Sequence, residues 1–198
     1  MTFLFDIGKV LLDFDFEGTL ESLLPAGSSV SALDALLEDK DAFERGDIAH
    51  EDYLARALGI FGPSVTREEF ERAWRDVFTP NLPMWDAVER LAADGHRLLL
   101  FSNTNAIHCP WMLEEYDIFR HFEAGTYSFE AGCLKPEPEI YQRAIADHGL
   151  EPASTRYIDD LSANVETGRA LGLRTHHYDL EDHAAFECWL TAEMALTR

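Results

Sequence analysis

The stretch Phe3-Leu4-Phe5-Asp6-Ile7-Gly8 decides how the rest of the chain is read. An apolar run ends abruptly in a carboxylate, and a glycine follows two positions later, where a tight backbone is accessible. Residues 3–5 read as a buried strand of a parallel sheet. Asp6 then falls at the C-terminal end of that strand, where open α/β sheets place their ligands. A carboxylate in such a place is costly unless it is paired or bound to a metal. Taken alone, the six residues fit a plain strand and turn. Three further apolar runs that end in polar motifs shift the balance.

Working outward, polar and apolar residues alternate over 12–16, the pattern of a short hairpin or flap beside the first strand. From about residue 17 to 78 the pattern is helical, with no convincing strand. Val30, Leu33, Leu36 and Leu37 recur at helical spacing, and Gly46 reads as a stop. Tyr53, Leu54, Ala57 and Leu58 form the next stripe, ended by Gly59 or Gly62. Thr66-Arg67-Glu68-Glu69 has the form of a capping box, and Phe70, Ala73, Trp74 and Val77 continue it as one amphipathic face. Pro80 and Pro83 mark the return. Strands are then expected over 97–101, 122–127, 156–158 and 173–177, separated by helices, with a closing helix from about residue 182. This alternation implies right-handed crossovers and an α/β, doubly wound, Rossmann-like parallel sheet. Residues 1–15 and 80–198 would form the α/β core, and 16–79 an all-helical insertion.

In such a sheet the strand ends share one edge, so Asp6, Ser102-Asn103, the loop carrying Lys135, and Asp159-Asp160 converge. Three carboxylates in one cleft cannot all stay ionised without a compensating cation. Hard oxygen ligands with few protein contacts suit Mg²⁺ shared with a substrate phosphate. A carboxylate can attack phosphorus and form an acyl phosphate. Ser102 and amides near Asn103 can donate to phosphoryl oxygens, and Lys135 adds positive charge where negative charge gathers. Singly, a Ser-Asn pair is an ordinary loop, Lys-Pro an ordinary helix entry and Asp-Asp an ordinary N-cap cluster. Their order and shared edge carry the argument.

The totals agree. Lys and Arg number 16 against 37 Asp and Glu, a net charge of −21, which argues against nucleic-acid and membrane partners. A small phosphorylated metabolite is still accommodated, because a bound cation inverts the field of one pocket. Cys109, Cys133 and Cys188 match no zinc spacing and, as free thiols, fit a reducing cytoplasm. No apolar run is long enough to span a bilayer, and the first residues lack the pattern of a signal peptide. Oligomeric state is left open.

The motif set resembles the haloacid dehalogenase-like hydrolase superfamily. Phe5-Asp6-Ile7-Gly8-Lys9-Val10 is similar to its first motif, Phe101-Ser102-Asn103-Thr104-Asn105 to its second, Gly132-Cys133-Leu134-Lys135-Pro136 to its third, and Ile158-Asp159-Asp160-Leu161 to its fourth. The resemblance implies a phosphatase with Asp6 as nucleophile. Ser102, Asn103 and Lys135 would hold the phosphate, and Asp6, the Gly8 carbonyl, Asp159 and Asp160 would form the Mg²⁺ site, Asp160 binding the metal and Asp159 holding a metal-bound water or Lys135. It also implies that the helical insertion is a cap and the substrate small. Within the superfamily the likeness is greatest to bacterial α-D-glucose-1-phosphate phosphatases.

One position departs from the pattern. Most such phosphatases carry a second Asp two residues after the nucleophile, which protonates the leaving alcohol, and here that position is Gly8. Losing positioned acid–base catalysis costs about 10²–10⁴-fold. Asp13, Asp15, a cap residue or water are the possible substitutes. Gly8 also suits two other readings: a metal-independent 2-haloacid dehalogenase, against which Asp159-Asp160 speaks, and a catalytically weakened sugar-phosphate-binding or regulatory domain. Among residues that tempt, His108 could face the cleft but is expected at a helix start or the surface, and His176-His177 is expected to be structural, since neighbours on a strand face opposite ways. Trp74 and Trp85 read as core. Phe14, Phe16, Phe43 and Trp111 are candidates for the opening between insertion and core.

Overall fold

A computed structural model describes residues 1–16 and 31–196. The helical reading of 17–30, Val30 included, lies outside the described residues. Strand β1 (Thr2–Phe5) is central, because its residues are apolar on both faces and need cover on both. It pairs in parallel with β4 (Arg97–Ser102) on one side and β6 (Thr155–Asp159) on the other, Phe5 standing opposite Leu100 and Ile158. With β5 (Ala124–Tyr127) and β7 (Arg174–His177) the order is β5-β4-β1-β6-β7, all parallel. The chain builds outward from β1 on one side and then returns to build on the other. The switch point, and so the crevice, therefore lies at the C-terminal end of β1.

Alternating side chains divide the sheet into two cores. Phe3, Phe5, Leu98, Leu100 and Ile158 pack with Met84 and Val88 of α5 (Leu82–Ala93) and Phe186 of α10 (His183–Ala195). Leu4, Leu99, Phe101 and Tyr157 pack with Ile140, Tyr141 and Ala144 of α8 (Pro138–His148) on the other face. Between β4 and β5 lies α6 (His108–Glu115), and between β6 and β7 lies α9 (Ser162–Ala170). Among the described residues, no helix is long and apolar enough to cross a membrane.

The segment after β1 differs from the local hairpin expected over 12–16. β2 (Leu12–Phe14) pairs antiparallel with β3 (Phe78–Pro80), Leu12 opposite Pro80, so the chain leaves and re-enters the core through a two-stranded ribbon. The expectation of no strand before residue 80 is corrected with it: three residues ending in Pro carry no readable alternation, and the partner is distant in sequence. The turn after β1 is also made differently. Its left-handed residue is Lys9, at φ 54°, not Gly8. Gly8 sits close to Phe14: a Cβ there would lie 3.0 Å from its ring, a contact the ring would have to shift to accommodate.

The ribbon carries helices α1 (Ser31–Glu38), α2 (Lys40–Arg45), α3 (His50–Phe61) and α4 (Arg67–Arg75). They bury a core of their own from Leu36, Phe43, Tyr53, Phe61, Phe70 and Trp74. The Thr66–Glu69 capping box is complete, and Gly62, not Gly59, ends α3. Helix α2 is seated on α7 (Ser128–Ala131) of the core. Gly46, left-handed at φ 83°, makes this approach possible, because a Cβ there would stand 2.4 Å from the Phe129 carbonyl oxygen. Beside it Arg45 donates both guanidinium arms to Glu137, at 2.8 and 2.5 Å.

Candidate active site

The sheet geometry delivers Asp6, Ser102 and Asp159 to the ends of β1, β4 and β6, and the loop before α8 delivers Lys135 among them. Lys135 is the hub. Its side chain is 1% exposed, its ammonium lies 3.0 Å from Asp6 Oδ1 and 2.6 Å from Asp159 Oδ2, and it donates to the Phe101 carbonyl at 2.8 Å. Burial would lower its pKa, but Asp159 and Asp6 hold it above its ordinary value. Asn103 fixes this loop from below: its side chain donates to the Lys135 carbonyl at 3.0 Å and accepts from the Lys135 amide at 2.8 Å. The Asn103 side chain is therefore a brace for Lys135.

Asp159 is fully buried, and both its oxygens are occupied. Oδ2 takes Lys135 and the Tyr157 hydroxyl at 2.5 Å, while Oδ1 takes the Leu161 amide and the Asn164 side chain, each at 2.9 Å. Asp160 instead lines the cavity, and His177 donates to its backbone carbonyl at 2.7 Å. Carboxylate oxygens of Asp6, Asp159 and Asp160 lie within 4.8 Å of one another. Burial, with Asp159 and Asp160 against it and Lys135 and the Ser102 hydroxyl for it, pushes the Asp6 carboxyl up to about 7. Burial and Asp159 push Asp160 up to about 6. This oxygen-only donor set, crowded enough that two members resist ionisation, fits a divalent cation.

A cavity of about 320 Å³ opens from these groups, at the small end of ligand sites. One wall carries Phe14, Phe16, Phe78 and His108; another carries Lys40, Asp41 and Glu44 of α2. His108 stands at its helix start as expected, but it is buried at the cavity wall and not at the surface. The Trp74 carbonyl can only accept, so His108 Nε2 carries the hydrogen, and Nδ1 accepts from Asn105. Burial pulls its pKa down to about 3, so the ring is neutral. Phe43 is buried in the helical core instead, Trp111 packs on Phe78, and Trp74 is core, as is the inner part of Trp85. His176 packs at a tilt against the Trp189 ring. Asp13 and Asp15 do not line the cavity, and Asp13 is bound to Lys9, which, against some burial, keeps its carboxyl below its usual range. Sequence reasoning missed Tyr157, Asn164, Lys40 and Glu44. Lys40 and Glu44 at i and i+4 were visible as a helical pair, yet nothing in the sequence aimed that pair at the cleft.

A family model described as haloacid dehalogenase-like hydrolase matches residues 1–172. The chain is 27% identical over 182 residues to D-ribitol-5-phosphate phosphatase of Bacteroides thetaiotaomicron, spanning 86% of this chain and 88% of that one. It superposes on a HAD family enzyme of the same organism, solved in complex with magnesium and inorganic phosphate, with a TM-score of 0.75 and 26% identity over 90% of this chain and 94% of that one. A HAD-like family hydrolase of Porphyromonas gingivalis matches with a TM-score of 0.75 and 26% identity over 100% and 97% of the two chains.

Proposed function

The chain belongs to the haloacid dehalogenase-like hydrolase family, and from that premise we propose that it is a Mg²⁺-dependent phosphatase of small phosphate monoesters, acting through a phosphoaspartyl intermediate on Asp6. The observation that carries the reading is Lys135 bridging Asp6 and Asp159, with Asp160 at the same point. A dehalogenase has little use for that third carboxylate in the cleft. The similarity to a ribitol-phosphate phosphatase, and to an enzyme solved with magnesium and phosphate, supports the same choice.

Asp6, Asp160 and the Gly8 carbonyl would hold the cation, with Asp159 behind them keeping Lys135 in place. The cation supplies charge neutralisation for the phosphoryl oxygens. An Asp6 carboxylate oxygen attacks phosphorus, the O–P bond of an acyl phosphate forms as the bond to the leaving-group oxygen breaks, and that oxygen takes its proton from water. A second water attacks phosphorus, loses its proton to solvent, releases inorganic phosphate and returns the Asp6 carboxylate. Ser102 and the amides after it bind phosphoryl oxygens, and Lys135 stabilises their charge in a dry site. Position 8 offers no general acid, and the Phe14 ring occupies the space beside it. Residues 1–15 and 80–198 serve as the catalytic core and 16–79 as the cap. Sugar and polyol phosphates are the substrates expected, α-D-glucose 1-phosphate among them.

Phosphate release from such a panel, in Mg²⁺ or EDTA, tests the reading on the wild type and on Asp6→Asn. Turnover should require Mg²⁺ and fall at least about a thousandfold in Asp6→Asn, as expected on loss of a nucleophile. Release of halide from a 2-haloacid in EDTA, or no phosphate release from any ester, overturns it.

A further inference from the structure

Helix α2 puts a charged pair into the cavity that holds Asp6 and Lys135. Lys40 donates to Glu44 Oε2 at 2.9 Å, and Glu44 is 7% exposed. Burial pushes the Glu44 carboxyl up, against the pull of Lys40. A buried carboxylate beside a site for a phosphate dianion is unfavourable by Coulomb's law; Lys40 offsets the charge, and the carboxylate oxygens left over call for hydrogen-bond donors on the ligand. A carboxylate only accepts hydrogen bonds and an ammonium only donates them. A hydroxyl does both. A vicinal pair of hydroxyls can therefore give hydrogens to Glu44 and take them from Lys40, with no charge of its own to place. An ammonium on the ligand would suit Glu44 but would be repelled by Lys40.

The aromatic part of the lining supports the same ligand chemistry. Phe14, Phe16 and Phe78 present apolar ring surface, and His108 is neutral with both nitrogens already bonded. That wall matches the C–H side of a polyhydroxylated chain or ring, while the hydroxyls turn toward α2. The cavity of about 320 Å³ leaves room for a small leaving group beyond the phosphate.

We propose that Glu44, held by Lys40, is a specificity-determining residue that accepts hydrogen bonds from the hydroxyls of the leaving group, so that the substrate is the phosphate ester of a small polyhydroxylated compound. The inference rests on the phosphatase reading and deepens it. Its test is the ratio of kcat/KM for D-ribitol 5-phosphate or α-D-glucose 1-phosphate to that for phenyl phosphate, in the wild type, Glu44→Gln and Lys40→Met. Hydrogen bonds to charged groups carry enough energy for that ratio to fall roughly tenfold to a hundredfold in Glu44→Gln. A ratio unchanged because both esters lose equally, or because neither does, overturns the inference while phenyl phosphate turnover keeps the phosphatase reading intact. A loss confined to phosphoethanolamine, included as an amine-bearing ester, overturns it in favour of a cationic ligand. Calorimetric affinity of the same esters in an Asp6→Asn background reads recognition without turnover: Glu44→Gln should weaken the polyol and sugar phosphates more than phenyl phosphate. Wild type that turns over no ester overturns the phosphatase reading by itself.

Discussion

At the residue scale the site is a contest among carboxylates for one ammonium. Lys135 sits closer to Asp159 than to Asp6, and burial together with the neighbouring carboxylates leaves Asp6 and Asp160 pushed up to about 7 and about 6. The unfolded chain would release those protons near the ordinary carboxylate range, about pH 4. The native state therefore binds more protons than the unfolded one between those limits. The stability this contributes is fully present below about pH 4 and is lost as pH rises through about 6 and 7. A cation on Asp6 and Asp160 would take the place of the protons. The rise in Tm produced by Mg²⁺ over EDTA should therefore be larger at pH 8 than at pH 5.5, and scanning calorimetry at the two pH values checks it. Equal shifts would mean that Mg²⁺ binds elsewhere. Asp6, Lys135 and Asp160 were legible in the sequence because strand ends fix where such residues go. Asn103, Tyr157 and Asn164 were not legible as braces, because their roles depend on which backbone atoms stand opposite them.

At the element scale, the parallel strands and their helices followed from apolar runs and glycine stops, since a buried strand can hardly be written any other way. What escaped was β3, too short and too proline-bound to show a period, and with it the ribbon that carries the helical segment. The docking of α2 on α7 escaped as well, because Gly46 reads as a helix stop and says nothing of Phe129 opposite it. Two glycines with similar backbones separate these roles. Gly46 and Gly149, which ends α8, stand at φ 83° and 60°, both in the left-handed region, but Gly46 has the Phe129 oxygen at 2.4 Å where a Cβ would go and Gly149 has open space. Gly149→Ala should lose only the left-handed penalty of about 1–2 kcal/mol. Gly46→Ala should lose that and more, since α2 must lift from α7 and loosen the Arg45–Glu137 pair. Urea unfolding of the two variants measures the difference, and equal losses would mean that α2 does not sit on α7 in solution.

At the scale of the whole molecule, a net charge of −21 surrounds a site that must admit a phosphate dianion. Among the residues lining the cavity, Asp6, Asp41, Glu44 and Asp160 stand against Lys40 and Lys135, with Asp159 just behind. One divalent cation brings that local field close to neutral, so it neither draws in nor repels a substrate strongly. The distant charges then decide the approach. Their reach is set by the Debye length, about 30 Å at 0.01 M salt and about 8 Å at 0.15 M. At low salt the substrate meets the repulsion of much of the surface, and at physiological salt only that of the nearest groups. With Mg²⁺ held saturating, kcat/KM for a phosphate ester should rise as monovalent salt is raised over that range, through a falling KM, while kcat stays level. This is the opposite of the decline seen where charge steers a ligand in. A kcat/KM that falls with salt would mean that Lys40, Lys135 and the cation together make the mouth of the cleft attractive, and that the acidic surface is screened from it even at low ionic strength.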